Sequence, residues 1–335
     1  MTRKMDLPTA ILVTLIAVMI AGIALTYPLN NNSFRAEITS DSANAYVSMH
    51  ATVLSDYTVC AIDLDNTSER ELLIYYDESY ASPINHSTEW ESIGDLKNHL
   101  NYLNVSYRII NATELGEILS DTAHATAKSV AMFSGAFPCN VYPYDGTFNE
   151  DKVKPWMNAG GIIYWQSESR FGYYSAPLEQ DFTDWETDQP LDEGAIYYGL
   201  TFLGDKDDDS GIGGNIQSEL SSILNIEQSM VMNYAPVGNA SIDNLGFESE
   251  DGRYSMAYAR YGSGGAMIRG GDFTPEISMA KIIASRVCDW ADYSPAVTSG
   301  VFKGDCQLTF GKTGVDAIYV YMGTLTPRYG ELFLL

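Results

Sequence analysis

Carboxylates, hydroxyls and one guanidinium gather just past three apolar runs. Asp77 and Glu78 follow Glu71-Leu-Leu-Ile-Tyr-Tyr76. Ser134 and Gly135 follow Ser129-Val-Ala-Met-Phe133, and Gln166, Ser167, Glu168 and Arg170 follow Gly161-Ile-Ile-Tyr-Trp165. Runs of this kind read as strands buried in a parallel sheet, and α/β sheets build ligand sites outside the carboxyl ends of such strands. These eight residues are therefore the candidate ligand-binding set. Their types limit the chemistry. Glu168 paired with Asp77 or Glu78 would hydrolyse a glycosidic bond or hold a cation, depending on the separation. Ser167 or Ser169 would act as a nucleophile only beside an activating base, and no motif supplies one. The expectation is binding, with no catalytic residue assigned. Trp165, Phe171, Tyr173, Tyr174, Trp185, Tyr197 and Tyr198 lie on or after the same edge. Such rings stack on sugars or cover a sheet.

Two other clusters bear on metal and redox chemistry. Asp205, Asp207 and Asp209 alternate in Asp205-Lys-Asp-Asp-Asp-Ser-Gly211, as acids do in a calcium loop. The loop lacks the glycine at its sixth position and has Ile216 where the twelfth-position glutamate belongs, so it supports at most a weak Ca²⁺ site. No other cofactor is expected. Cys60, Cys139, Cys288 and Cys306 are even in number and widely spaced, with no Cys-x-x-Cys pair. In an oxidising compartment that pattern predicts two disulfides rather than a metal centre. Three connectivities remain open, with a lean to Cys288 with Cys306.

The elements that must position these residues follow from periodicity and punctuation. Pro155 can open a helix and Gly160-Gly161 can close it, predicting a helix over Lys154–Ala159 ahead of the Gly161–Trp165 strand. Helices are predicted over Trp90–Leu103, with Ile93, Leu96, Leu100 and Leu103 at three- and four-residue intervals, over Thr113–Leu119, Asn215–Leu224 and Ser278–Trp290. Tyr107–Ile110 is a further strand. Arg253–Tyr261 and Gly265–Arg269 pair as a hairpin across glycines. Ala176–Gly214 loses the rhythm and reads as an excursion over the sheet's carboxyl edge. Near the amino end, Ala45–Leu54 and Tyr57–Leu64 alternate as two strands joined at Ser55-Asp56. After Pro295 the segments Gly300–Lys303, Cys306–Phe310, Ala317–Met322 and Glu331–Leu335 are strands.

The predicted class is α/β: a flavodoxin-like parallel sheet with helices on both faces, and a small β-sandwich formed by the N- and C-terminal strands. The boundaries are 1–29 for a membrane anchor or signal segment, 30–69 for a linker and strands, 70–294 for the α/β domain and 295–335 for the C-terminal strands.

Composition places the protein in the cell. Residues 7–27 carry no charge and are long enough to span a bilayer, with Arg3 and Lys4 on their amino side. The expected topology is a single-pass membrane protein, N-terminus cytoplasmic and body extracytoplasmic; cleavage of the segment as a signal is the alternative. Sequons at Asn31, Asn66, Asn85, Asn104, Asn111 and Asn239 agree with export. Against 44 Asp and Glu stand 19 Lys and Arg, a formal charge of -25, which disfavours nucleic acid and anionic lipid as partners.

The order of parts from Glu71 to Asp292 resembles the class I glutamine amidotransferase-like fold, a flavodoxin-like family that includes ThuA-like proteins. The resemblance rests on the strand Leu72–Tyr76, the strand and loop Val130-Ala-Met-Phe-Ser-Gly135, the helix, Gly160-Gly161 and strand ending at Trp165, and Arg260-Tyr-Gly-Ser-Gly-Gly-Ala-Met-Ile-Arg269 before a terminal helix. In active members the strand matching Gly161–Trp165 runs into a cysteine between glycines, its thiolate held in a strained turn. Here that position reads Gln166-Ser-Glu-Ser169. The family's downstream histidine is also missing, since His50, His86, His99 and His124 all lie upstream. The resemblance thus implies a domain without its catalytic triad, serving as a binding or assembly module with cell-surface carbohydrate or an envelope protein as partner. Two alternatives remain: a cell-surface glycan hydrolase using Glu168 and a second carboxylate, and a structural component of the cell envelope.

Overall fold

The computed structural model describes residues 34–62, 70–142, 148–167, 171–178, 197–200, 212–218, 220–221, 224, 226, 230–231, 242–269, 276–289, 296–311, 315, 317–324 and 326–334. The chain forms two compact units, one of residues 64–293 and one that joins 1–63 to 294–335. Strands β1 (Phe34–Ser40) and β2 (Asn44–Ile62) open the second of these.

The α/β unit begins with β3 (Glu71–Tyr75), α1 (His86–Tyr102), β4 (Tyr107–Ile110), α2 (Ala112–Ser120) and β5 (Lys128–Met132). The two-residue strand β6 (Phe137–Pro138), α3 (Val153–Asn158), β7 (Ile162–Gln166) and β8 (Tyr174–Ser175) follow. Beyond them lie β9 (Ile212–Gly213), β10 (Ile216–Gln217), β11 (Met230–Val231), β12 (Ile242–Asn244), β13 (Phe247–Glu248), β14 (Met256–Tyr261), β15 (Gly264–Arg269) and α4 (Glu276–Ser285). Seven strands make one sheet in the order β12-β14-β15-β7-β5-β3-β4. The five from β15 to β4 are parallel, while β14 and β12 add antiparallel at one edge. The unit is mixed α/β with a mostly parallel sheet, and β7 stands in its middle.

Local chemistry explains these elements. Asn85 caps α1 by accepting from the Ser87 amide at 2.8 Å, which starts the helix four residues earlier than the apolar spacing suggests. A reciprocal capping box between Asn111 and Glu114 opens α2. Asp151 accepts from the amides of Val153 and Lys154 at the start of α3. At its end Gly160 takes φ +110°, and a Cβ on Gly161 would meet the Trp156 ring at 2.2 Å. Strand neighbours then share faces: Leu73, Val130, Ile163 and Ala266 are in register and bury with Leu115, Ile118, Trp156 and Met157 of α2 and α3. On the opposite face, Leu72 and Tyr164 meet the ends of α1 and α4, which pack on each other.

Two predicted elements differ. Asn215–Leu224 is not one helix. Ile216–Gln217 pairs antiparallel with Phe247–Glu248 instead, and Ser218 donates to the Gly246 carbonyl, so strand pairing takes the amides a helix would have used. The last helix runs from Glu276 to Ser285 and stops where Arg286 adopts φ 55°, leaving a 3₁₀ turn over Val287–Asp289. Ala176–Gly214 lies mostly outside the described residues.

The terminal unit is completed by β16 (Ala296–Gly311), β17 (Ala317–Thr324) and β18 (Thr326–Leu334). The strands expected there do assemble, but as one antiparallel five-stranded sheet rather than the two layers of a β-sandwich. Ser55-Asp56 is not a turn: β2 runs straight through it, because β16 pairs along the whole of β2 while β1 and β17 share the other side. The irregularity falls between Phe302 and Gly304, where Lys303 opposes residues 52–54. That bulge likewise merges the two expected strands Gly300–Lys303 and Cys306–Phe310 into one. Val47, Met49, Val59, Ile318 and Val320 form the buried face. Among the described residues no helix is long and apolar enough to cross a membrane, and residues 7–27 lie outside them.

Candidate functional site

Counted in chain order, the parallel strands lie 2-1-3-4-5, so the connections leaving β3 and β5 run to opposite sides. The crevice between those two strand ends is where open α/β sheets bind ligands. Asp77 stands there. Its carboxylate accepts from the amide and hydroxyl of Ser79 and, at 3.0 Å, from the amide of Ala112, the first residue of α2. Burial pushes its pKa up, but the hydrogen bonds from Ser79 and Ala112 outweigh it and hold Asp77 below the ordinary carboxylate value. Ser134 turns inward, its hydroxyl donating to the Ala136 carbonyl and its own carbonyl accepting from Ser82. Gly135 supplies a positive φ of 73° in that turn.

The strand ends thus bring Asp77, Ser134 and Gln166 to one edge, on β3, β5 and β7. They do not leave it open. The loops leaving β5 and β7 pair as β6 and β8, with the Phe137 amide on the Tyr173 carbonyl and the Cys139 amide on the Ser175 carbonyl. Phe137, Trp165 and Phe171 interlock at centroid distances of 5.0 to 5.4 Å. Gln166 and Ser167 are buried, Ser167 with 7% of its surface exposed. Glu168 and Arg170 lie outside the described residues, as does Trp185. Of the aromatics expected to face a ligand, Trp165, Phe171, Tyr173, Tyr174 and Tyr198 are buried in the unit's core. Tyr197 stacks on Phe148 and donates to Asp151.

What remains exposed beside the crevice is an aromatic shelf that periodicity did not single out. Trp90 is 43% exposed and its ring lies 4.7 Å from that of Tyr76, just past β3. Lys97 sits 5.0 Å over the same indole. Tyr76 donates to exposed Glu78 at 2.6 Å, and burial followed by that bond pushes the phenol up to about 12. Below the shelf, His86 and Glu89 face each other at 3.1 Å across the first turn of α1. The second ring nitrogen of His86 lies 3.0 Å from the Tyr80 carbonyl. A carbonyl only accepts, so that nitrogen carries a hydrogen, and a proton shared between Nδ1 and the carboxyl satisfies the other contact. Glu89 is 1% exposed. Burial pushes its carboxyl up to about 7, against the opposing pull of His86 and with Asp77 and Glu78 adding to the rise. The sequence signal was present: His86 and Glu89 sit three apart, visible once Asn85 is recognised as the cap.

The other histidines are held elsewhere or stand apart from this edge. His50 contacts Asp305 on the terminal sheet and His124 contacts Asp121, while His99 lies near the far end of α1. Among the described residues Cys139, Cys288 and Cys306 are free thiols. Cys288 is buried on the 3₁₀ turn of the α/β unit, and Cys306 lies on β16 of the terminal unit. Burial raises the Cys139 and Cys288 thiols, which keeps both protonated near neutrality. Cys60 lies on β2. Among the described residues no three His, Cys, Asp or Glu side chains are grouped to hold a metal ion, and Asp205, Asp207 and Asp209 fall outside them. Asn85, Asn104 and Asn111 are exposed, while Asn31, Asn66 and Asn239 are outside the described residues.

No protein-family model and no curated protein matches the chain. Among solved structures it is similar to the exo-β-1,4-mannosidase Op5Man5 from Opitutaceae bacterium strain TAV5, at 10% identity and a TM-score of 0.37 over 65% of this chain and 33% of that one. It is also similar to a β-galactosidase from Bacillus circulans sp. alkalophilus, at 12% identity and 0.39 over 77% and 36%. A third is the cytoplasmic protein STM1381 from Salmonella typhimurium LT2, at 10% and 0.32 over 77% and 94%. The chain spans about a third of the two glycosidases' lengths. At these TM-scores the likenesses carry no argument about its fold or activity.

Proposed function

We propose that the protein is a membrane-anchored, extracytoplasmic binding module, an amidotransferase-like, flavodoxin-like domain without a catalytic triad, whose ligand is cell-surface carbohydrate. The single observation that carries this reading is the shelf of Trp90, Tyr76 and Glu78 at the switch point of the sheet. An exposed indole beside a carboxylate offers a sugar ring a stacking face and an acceptor for its hydroxyls. The strand order supports the flavodoxin-like assignment, and the buried Gln166-Ser167 pair after the central strand supports a binding rather than a nucleophilic role. Residues 7–27 supply the anchor in this reading.

The test is retention on a glycan array. The protein should bind a subset of glycans, and Trp90→Ala should reduce binding at least fivefold, taking the roughly 1–3 kcal/mol of a ring stacked on an aromatic side chain as the guide. Binding that survives both Trp90→Ala and Glu78→Gln would remove the shelf from consideration.

A second reading draws on Glu89, whose raised carboxyl near the same edge has the character of a general acid. In it the protein hydrolyses surface glycans through Glu168 and a second carboxylate. Product release from glycans by the native chain, abolished by Glu168→Gln or Glu89→Gln, would favour this reading over binding alone.

A further inference from the structure

Two buried oxygens around the crevice lack a hydrogen-bond partner among the described residues, and both are acceptors. Glu89 turns its Oε2 to His86 at 3.1 Å, while its Oε1 is buried and unmatched. The Asn140 side chain, just past β6, donates through Nδ2 to the Ala112 carbonyl at 2.7 Å, which fixes its orientation and leaves Oδ1 buried and unmatched. Asp77 reaches the same residue on its amide. Tyr75, the last residue of β3, ties these groups together: burial pushes its phenol well up, with Asp77, Glu89, Tyr80 and Cys139 adding to the rise. A buried acceptor without a donor is costly, so the crevice calls for a ligand that donates.

Charge says which donor. Asp77, Glu78 and Glu89 gather between the end of β3 and the first turn of α1, and Asp77, whose hydrogen bonds outweigh its burial, stays ionised. Lys97 already lies 5.0 Å over the Trp90 indole, so the ring of the shelf accepts an ammonium. An ammonium supplies three donors and a positive charge, and hydrogen bonds to ionised groups are about twice as strong as neutral ones. A hydroxyl supplies one donor and no charge. A divalent cation would need several converging oxygens, and among the described residues no three acidic, histidine or cysteine side chains are so grouped.

We infer that the sugar bound at the shelf is an amino sugar with an unsubstituted amine, its ring on Trp90 and its ammonium in the crevice of Asp77, Glu78, Glu89 and Asn140. This rests on the carbohydrate reading of the shelf and narrows it to glucosamine-like units over neutral or N-acetylated ones. An acetylated nitrogen keeps one hydrogen and loses the charge, so the same acids discriminate against it.

The experiment follows the Trp90 indole N–H resonance of the isotope-labelled full chain. The titrants are glucosamine, glucose, N-acetylglucosamine and ethanolammonium, at about pH 6, where an amine of this kind is protonated. Glucosamine should bind at least tenfold more tightly than each of the others, the effect of one hydrogen bond to a charged group. Glu78→Gln, on an exposed side chain, and Asp77→Asn should each cut its preference over glucose by roughly fivefold. Equal affinity for glucosamine and either uncharged sugar would overturn the inference and leave the carbohydrate reading standing. A preference unchanged in both variants would trace it to the general negative charge of the chain, which also overturns the inference. Ethanolammonium binding as tightly as glucosamine, with neither uncharged sugar moving the resonance, would overturn the carbohydrate reading and the inference with it.

Discussion

Glu89 is the residue whose environment makes the sharpest demand on solution behaviour. Its carboxyl rises from an ordinary 4.5 to about 7 because burial penalises its charge. An acid with a raised folded-state pKa binds its proton more tightly when folded, so its contribution favours folding below about 4.5 and is lost as pH climbs towards about 7. The difference corresponds to roughly 3 kcal/mol. Glu89→Gln keeps a donor for Nδ1 and removes the charge. It should flatten the dependence of Tm on pH between 5 and 8 and raise Tm at pH 8. A Tm profile parallel to that of the native chain would show that Glu89 does not titrate as described. The free thiols make a second demand: at least three cysteines should alkylate in denaturant without prior reduction, as read by intact mass. Fewer than three would restore the disulfide expectation.

At the scale of elements, the caps show why some boundaries could be read and others not. α3 and β7 were placed to within a residue, because Pro155 and Gly160-Gly161 punctuate the chain in ways that depend only on local backbone geometry. The start of α1 was missed by four residues, since apolar spacing begins at the second turn while the Asn85 cap lies before it. Ile216–Gln217 became a strand through a partner thirty residues on, which no local pattern reveals. The same limit applies to the site. Strand ends located Asp77 and Glu78, but the pairing of β6 with β8 buries Gln166 and Ser167, and pairing between two loops leaves no periodic trace. Capping also yields a stability prediction. Asn111→Ala removes the acceptor for the Glu114 amide and should cost about 1 kcal/mol, a fall of roughly 2–4 °C in Tm. An unchanged Tm would mean that the capping box contributes nothing.

For the whole molecule, a formal charge of -25 means mutual repulsion that folding concentrates. Raising NaCl from 20 to 500 mM shortens the screening length from roughly 20 Å to about 4 Å, and Tm should rise; a flat response would indicate that the acids are already locally neutralised. An acidic body also suits a partner that is neutral or positively charged, and carbohydrate, the ligand proposed for the shelf, is such a partner. The claim on which this account turns is that sugar meets the protein at Trp90. The direct measurement is the tryptophan indole N–H spectrum of the isotope-labelled chain, titrated with the glycan that binds best on the array. Of five tryptophans, the resonance of Trp90 should move saturably while those of buried Trp156 and Trp165 stay in place. A stationary Trp90 signal at saturating glycan would contradict the account.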